Sequence, residues 1–121
     1  MTEKAGTMLE RAKFDDEAEL DEMAENAKRA TDFLKALAHE ARLMILCYLA
    51  SGEKSVKELE DLLSLRQPTV SQQLARLRIE GFIDARRDGK MIYYRLTDPR
   101  AQIMVAQIYE MFCKPNDGGP C

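Results

Sequence analysis

Residues 55–96 spell out two helices at a turn followed by two alternating strands, and few folds accept that order. Ser55-Val56-Lys57-Glu58 is a capping box, in which a hydroxyl and a carboxylate each satisfy a backbone N–H at a helix start. It opens a short apolar helix through Leu59, Leu62 and Leu63. Leu65-Arg66-Gln67 breaks that helix, and Pro68 starts a second one where its missing N–H leaves no extra unpaired group. The second helix is expected over 69–80, stopping at Gly81. Strands are expected over 82–87 and 90–96, joined by Asp88-Gly89, a strong two-residue hairpin signal. A helix-turn-helix with a basic hairpin appended is a winged helix, a shape suited to reading duplex DNA. The expected fold class is therefore mainly α with a small β-hairpin.

The chain's net charge of −3 looks wrong for a DNA binder until it is divided along the sequence. Residues 66–100 carry eight basic side chains (Arg66, Arg76, Arg78, Arg86, Arg87, Lys90, Arg95, Arg100) against four acids, a local charge of +4. Residues 1–25 carry nine acids against three bases, a local charge of −6. Phosphate contacts need a local positive face, not a basic whole. With 121 residues, the chain has room for one modest core. The longest uncharged stretch, residues 43–52, is far shorter than a membrane span and reads as a core helix. The N-terminus lacks the apolar region of a secretory signal, so the expected compartment is the cytoplasm, with no membrane partner. There, three cysteines without CxxC spacing read as reduced thiols, not structural disulfides.

In chain order, residues 1–15 are expected to form an acidic flexible arm, 16–113 the DNA-binding and dimerisation domain, and 114–121 a flexible tail. Leu20, Met23, Ala24 and Ala27 recur at helical spacing, continuing to Phe33, Leu34 and Leu37. A central helix follows over 41–50, apolar on nearly every side. Asp98-Pro99 reads as N-cap and first turn of a last helix. Its apolar residues Ile103, Val105, Ala106, Ile108, Tyr109 and Phe112 cover more than one face, which with the N-terminal helix points to a homodimer surface.

Helix geometry sorts the second recognition-motif helix into two sides. Val70, Leu74 and Leu77 face the core. Thr69, Gln72, Gln73 and Arg76 face away from it, with Ser71 at the margin. Gln can bond adenine through two hydrogen bonds, Arg can bond guanine N7 and O6, and a Thr methyl can touch thymine. The expected DNA-facing set is Gln67, Thr69, Ser71, Gln72, Gln73 and Arg76, with Arg86, Arg87 and Lys90 on the wing for phosphates or the minor groove. The bland alternative is a solvated polar face. Arg95 reads as a brace of the sheet.

Taken together, residues 37–46 (LAHEARLMIL), 67–74 (QPTVSQQL), Gly81-Phe82-Ile83 and the Arg87-Asp88-Gly89-Lys90 hairpin resemble the ArsR-type winged-helix repressors over about residues 18–113. The resemblance implies a homodimer that sits on operator double-stranded DNA and leaves when an inducer binds. The chain departs from it at Gln73, where the family more often has His, which bears on base preference.

Family members commonly bind metals through cysteines in the first recognition-motif helix or through His and acidic residues in the last helix. This chain has neither set, so no metal and no cofactor is expected. His39, the single histidine, reads as a structural or capping residue. Taken alone, Cys47 reads as a small buried hydrophobe, while Cys113 lies beside Lys114, which would favour its thiolate. One cysteine in the central helix and one at the end of the last helix is, however, the pattern of the persulfide-sensing SqrR/BigR branch. That resemblance implies that reactive sulfur species link Cys47 and Cys113 through a disulfide or polysulfide bridge; Cys121 reads as incidental. Alternatives are a thiophilic metal or metalloid, or a general oxidant, sensed through the same cysteines. A protein-interaction module with no DNA role is a further one. A thiol–disulfide oxidoreductase would want CxxC at a helix start. With no nucleotide loop, metalloprotease motif or Ser-His-Asp set in the sequence, an enzyme is not expected.

Overall fold

The computed structural model describes residues 17–113. The expected arm (1–15) and tail (114–121) lie outside the described residues. The chain divides into two compact units, Met1–Lys35 and Ala36–Cys121. In the first, the described structure is helix α1 (Glu17–Leu37, its last two residues belonging to the second unit), with Glu17 and Glu19 in its first turn and Lys35 in its last. These charges suit the helix dipole. Leu20, Met23 and Leu34, spaced along one face, are each close to half exposed. No described helix is long and apolar enough to cross a membrane.

The second unit is built around α2 (Glu40–Ala50). His39 caps it, as expected of a structural histidine: its Nδ1 accepts a hydrogen bond from the Ala41 N–H at 3.2 Å. After α2 come β1 (Lys54–Ser55) and α3 (Val56–Leu63). The capping box forms as read, with Glu58 N–H donating to Ser55 Oγ at 3.1 Å and Ser55 N–H donating to Glu58 Oε1 at 2.8 Å. Helix α4 (Gln67–Ile79) starts two residues before its expected position, so Pro68 sits inside the first turn and not before it. Its end is a Schellman motif: Phe82 N–H donates to Leu77 C=O and Gly81 N–H to Arg78 C=O, both at 3.0 Å. Gly81 supplies the φ of +82° that this reversal requires.

Strands β2 (Ile83–Asp88) and β3 (Met91–Leu96) pair antiparallel from Ile83↔Leu96 to Asp88↔Met91. The turn is therefore Gly89-Lys90, one residue later than the expected Asp88-Gly89. Gly89 has φ +65°, and among described non-glycine residues only Ser64 is positive. A positive φ at the first loop position alone is the type II′ pattern, which spares Asp88 a strained backbone and extends the ladder. The sequence reading had no third strand. In the structure β1 adds to β3, giving the order β1-β3-β2; two residues are too few to show a period. Helix α5 (Pro99–Phe112) begins where expected, with the Asp98 carboxylate accepting from Arg100 N–H at 2.8 Å and Ala101 N–H at 3.4 Å.

Helix α2 packs against α3, α4, α5 and β3. Ile45, Leu46 and Leu49 from α2, Leu59 from α3, and Val70, Leu74 and Leu77 from α4 form the core beside Ala101 and Val105 of α5. Truncating one of these large side chains to Ala costs about 2–5 kcal/mol, which fixes α4 firmly on α2. The expectation that α2 is buried on nearly every side needs one correction. Its other face, with Leu43, Met44, Cys47 and Tyr48, lines a cavity shared with α5.

Candidate nucleic-acid interface and thiol pocket

The core contacts of α4 turn its other side outward. Thr69, Gln72 and Arg76 are exposed, as the helical spacing requires. Gln67 and Ser71 satisfy each other, Gln67 Nε2 donating to Ser71 Oγ at 2.6 Å. Arg76 is held by Glu80 one turn on, at 3.1 Å. Such an exposed i,i+4 pair is weak and can open for a stronger acceptor. Gln73 differs from its neighbours. It is half-buried, and its Oε1 accepts from Arg42 Nη1 of α2 at 3.1 Å. Arg42 Nε in turn donates to the Ala36 carbonyl at 2.7 Å. Burial, then Arg76, pull the Arg42 pKa down, while Glu80 pulls it up.

The wing separates its three basic residues. Arg86 is clamped: it meets Glu53 at 2.7 Å through Nη2 and at 3.2 Å through Nε, and its guanidinium lies 5.0 Å from the Tyr93 ring centre. Tyr93 is its cross-strand partner, and Asp88 adds a longer contact at 3.8 Å. The hydrogen bond from Arg86 holds Glu53 below the usual carboxylate range, and Glu53 raises Arg86 in turn. Arg86 is thus paired within the wing, and the DNA contact expected of it requires that exposed pair to open. Arg87 and Lys90 are exposed beside the turn, with no ion pair among the described residues. Arg95 pairs with Asp84 at 3.7 Å directly across the ladder, as a sheet brace should. Sequence reading missed Glu53, Tyr93, Glu80 and Arg42. Only the Arg76–Glu80 spacing could have been seen in advance.

The two cysteines expected to act together share one wall of space. Cys47 on α2 and Cys113 at the end of α5 line the same cavity of about 960 Å³, with Leu43, Tyr48, Ile108 and Phe112. Cys47 is a free thiol, and burial pushes its pKa up, so it rests in the neutral form. Cys113 is disulfide-bonded, to a partner other than Cys47. The bridge expected between these two is therefore not the bond present here. Cys121 lies outside the described residues. Among the described residues no three His, Cys, Asp or Glu side chains come together to hold a metal ion.

Residues 39–85 match the family described as "Bacterial regulatory protein, arsR family". The chain is 52% identical over 93 residues to the biofilm growth-associated repressor of Agrobacterium fabrum (strain C58 / ATCC 33970), covering 74% of this chain and 80% of that protein. Among solved structures, the transcriptional repressor BigR from Xylella fastidiosa superposes with a TM-score of 0.73 at 41% identity, covering 82% of this chain and 98% of that chain. Reduced HlyU from Vibrio cholerae N16961 gives 0.74 at 38% identity, covering 77% of this chain and 98% of that chain.

Proposed function

Because the chain belongs to the arsR family of bacterial regulatory proteins, we propose that it is a homodimeric repressor whose hold on operator DNA is released when reactive sulfur species bridge Cys47 and Cys113. The chain is a transcriptional regulator and not an enzyme, like the relatives it matches. The observation that carries the sensing step is that two cysteines 66 residues apart in sequence line one apolar cavity between α2 and α5.

DNA would be read by the exposed Thr69, Gln72 and Arg76 of α4, with Arg87 and Lys90 on phosphates. Arg86 contributes by fixing the wing's shape. Dimerisation is supported by the apolar surface left on α5, where Ile103, Met111 and Phe112 are 63%, 65% and 79% exposed. A two-fold dimer presents two reading helices to half-sites about one DNA turn apart.

The thiol step balances with persulfide as both sulfur donor and oxidant. A persulfide transfers its outer sulfur to one cysteine and leaves as a thiol. The cysteine persulfide and the second cysteine then join as a trisulfide, giving their electron pair and two protons to a second persulfide, which leaves as thiol and hydrogen sulfide. Cys113 is first released from its disulfide by exchange with two equivalents of a low-molecular-weight thiol, which leave as their own disulfide while both cysteine sulfurs become thiols. Bridging then ties α5 to α2, the helix on which α4 is packed, and biases the spacing of the reading helices.

The experiment is an operator-binding titration with and without a persulfide donor, read alongside intact mass. Cys47→Ser and Cys113→Ser should each abolish release, and the double variant should match either single one, as two groups acting as one unit require. Mass gain of one or more sulfurs with linked cysteines identifies a persulfide sensor. A loss of only two hydrogens identifies a general oxidant sensor. Release that survives in Cys113→Ser overturns the two-thiol switch.

A further inference from the structure

Gln72 and Gln73 stand side by side on α4, yet the structure gives them different chemistry. Gln72 is exposed. Gln73 is half-buried, with its carbonyl end turned onto Arg42 at 3.1 Å. A guanidinium has donors only, so the end of the amide that faces it must be the oxygen. The orientation of Gln73 is therefore fixed by chemistry, where an isolated amide could be turned over without penalty. Arg42 is itself anchored on a second point, the Ala36 carbonyl at 2.7 Å, so the clamp is rigid from the α2 side. With its oxygen facing α2, the end of Gln73 that remains for the groove is its NH2 group.

We propose that Arg42 is a positioning residue that turns the Gln73 amide oxygen inward and presents its NH2 group to the groove, so that Gln73 reads any base-edge acceptor (purine N7, guanine O6 or thymine O4) by a single bond, disfavours cytosine, and lacks the two-bond preference for adenine. The two-bond contact of Gln with adenine needs the amide oxygen for N6–H and the nitrogen for N7, both presented to the base. In Gln73 the oxygen is committed inward. Gln72 keeps both ends and retains the adenine contact. Two adjacent and identical residues thus differ in base preference, and the distinction comes from a side chain on another helix. This rests on the operator-binding function proposed above.

The test is selection from a duplex library randomised over the half-site, sequenced after binding to the intact protein and to four variants: Gln72→Ala, Gln73→Ala, Arg42→Met and Arg42→Lys. Wild type should show one position that disfavours C without selecting A over G or T, a bias that Gln73→Ala, and not Gln72→Ala, relaxes by about fivefold, the value of one ordinary hydrogen bond. Arg42→Met should move preference at that position toward A, because the amide is then free to present both ends. Arg42→Lys keeps the charge but has no fork to span Gln73 and Ala36, and should show the same shift more weakly. Because the Gln73→Ala comparison does not touch Arg42, it stands even if the Arg42 variants fold poorly. If the position lost in Gln73→Ala selects A over G and T in wild type, or if Gln73→Ala lowers affinity for all duplexes equally and reduces the salt slope, the proposal is wrong and Gln73 makes the two-bond adenine contact or binds phosphate. It is also wrong if folded Arg42→Met keeps the wild-type profile. Failure of wild type to enrich any sequence would overturn the operator-binding function itself, and this inference with it.

Discussion

Replacing Asp98 with Ala should cost about 1–2 kcal/mol of stability, as expected for loss of a well-formed N-cap. The side chain starts α5, the helix that ends at Cys113 and supplies half of the cavity wall. Its carboxylate accepts from two backbone N–H groups, Arg100 at 2.8 Å and Ala101 at 3.4 Å, and meets Arg100 Nη2 at 3.2 Å. Only 9% of the Asp98 side chain is exposed, so water replaces those bonds poorly. The guanidinium is 63% exposed and adds little of its own. Asp98→Asn keeps an acceptor for the helix N–H groups and should cost a few tenths of a kcal/mol to about 1 kcal/mol. For a chain of this size, 1 kcal/mol moves Tm by about 3–5 °C, so Asp98→Ala should melt roughly 3–10 °C below wild type. The assay is thermal melting at one fixed protein concentration, since dimerisation would make Tm concentration-dependent. The pH series supplies a second check. Burial pushes the Asp98 pKa up, but the hydrogen bonds and charge of Arg100 and the Ala101 N–H together outweigh it, so the folded pKa lies below the ordinary value. Stability from a depressed carboxylate is present above the unfolded pKa and is lost as pH falls through the folded one. The gap between wild type and Asp98→Asn should therefore be full at pH 7 and close in acid. Equal melting of Asp98→Ala and wild type, or of Asp98→Ala and Asp98→Asn, would refute the capping argument.

Gln72→Ala should lose about 1–3 kcal/mol on the operator if its contact is bidentate, with little change on random duplex, whereas Lys90→Ala should weaken both and lower the salt slope by about one unit; equal losses in binding titrations would erase the division between helix and wing. Glu53→Gln should free Arg86 for phosphate and raise the salt slope on non-specific DNA; an unchanged slope would mean that Tyr93 alone holds the guanidinium. Phe112→Ser should raise the monomer fraction in sedimentation velocity at micromolar concentration, and an unaltered distribution would place the dimer contact elsewhere.

The order of elements was legible because each rests on local chemistry. Ser55 and Glu58 cap α3, Asp98 and Pro99 start α5, Gly81 ends α4, and the His39 cap lies two residues from the amide that it bonds. The core side of α4 followed from the spacing of Val70, Leu74 and Leu77 alone. The turn was placed one residue early because Asp-Gly fits a type I′ turn, whereas the cross-strand register carried the ladder on to Asp88. Strand β1 was invisible for a related reason: two residues have no period, and what makes them a strand is β3 alongside.

The basic residues show the limit most clearly. Sequence by itself could give Arg86, Arg87 and Lys90 only one description, three cations near a hairpin tip. Tertiary structure separated them by bringing Glu53, 33 residues away, onto Arg86, because a side chain's partner is set by which backbones the core holds together. Gln72 and Gln73 were likewise equivalent until α2 delivered Arg42 to one of them. The same holds for the thiols: their positions on α2 and at the end of α5 were in the sequence, but a shared cavity between those helices was decided only by packing.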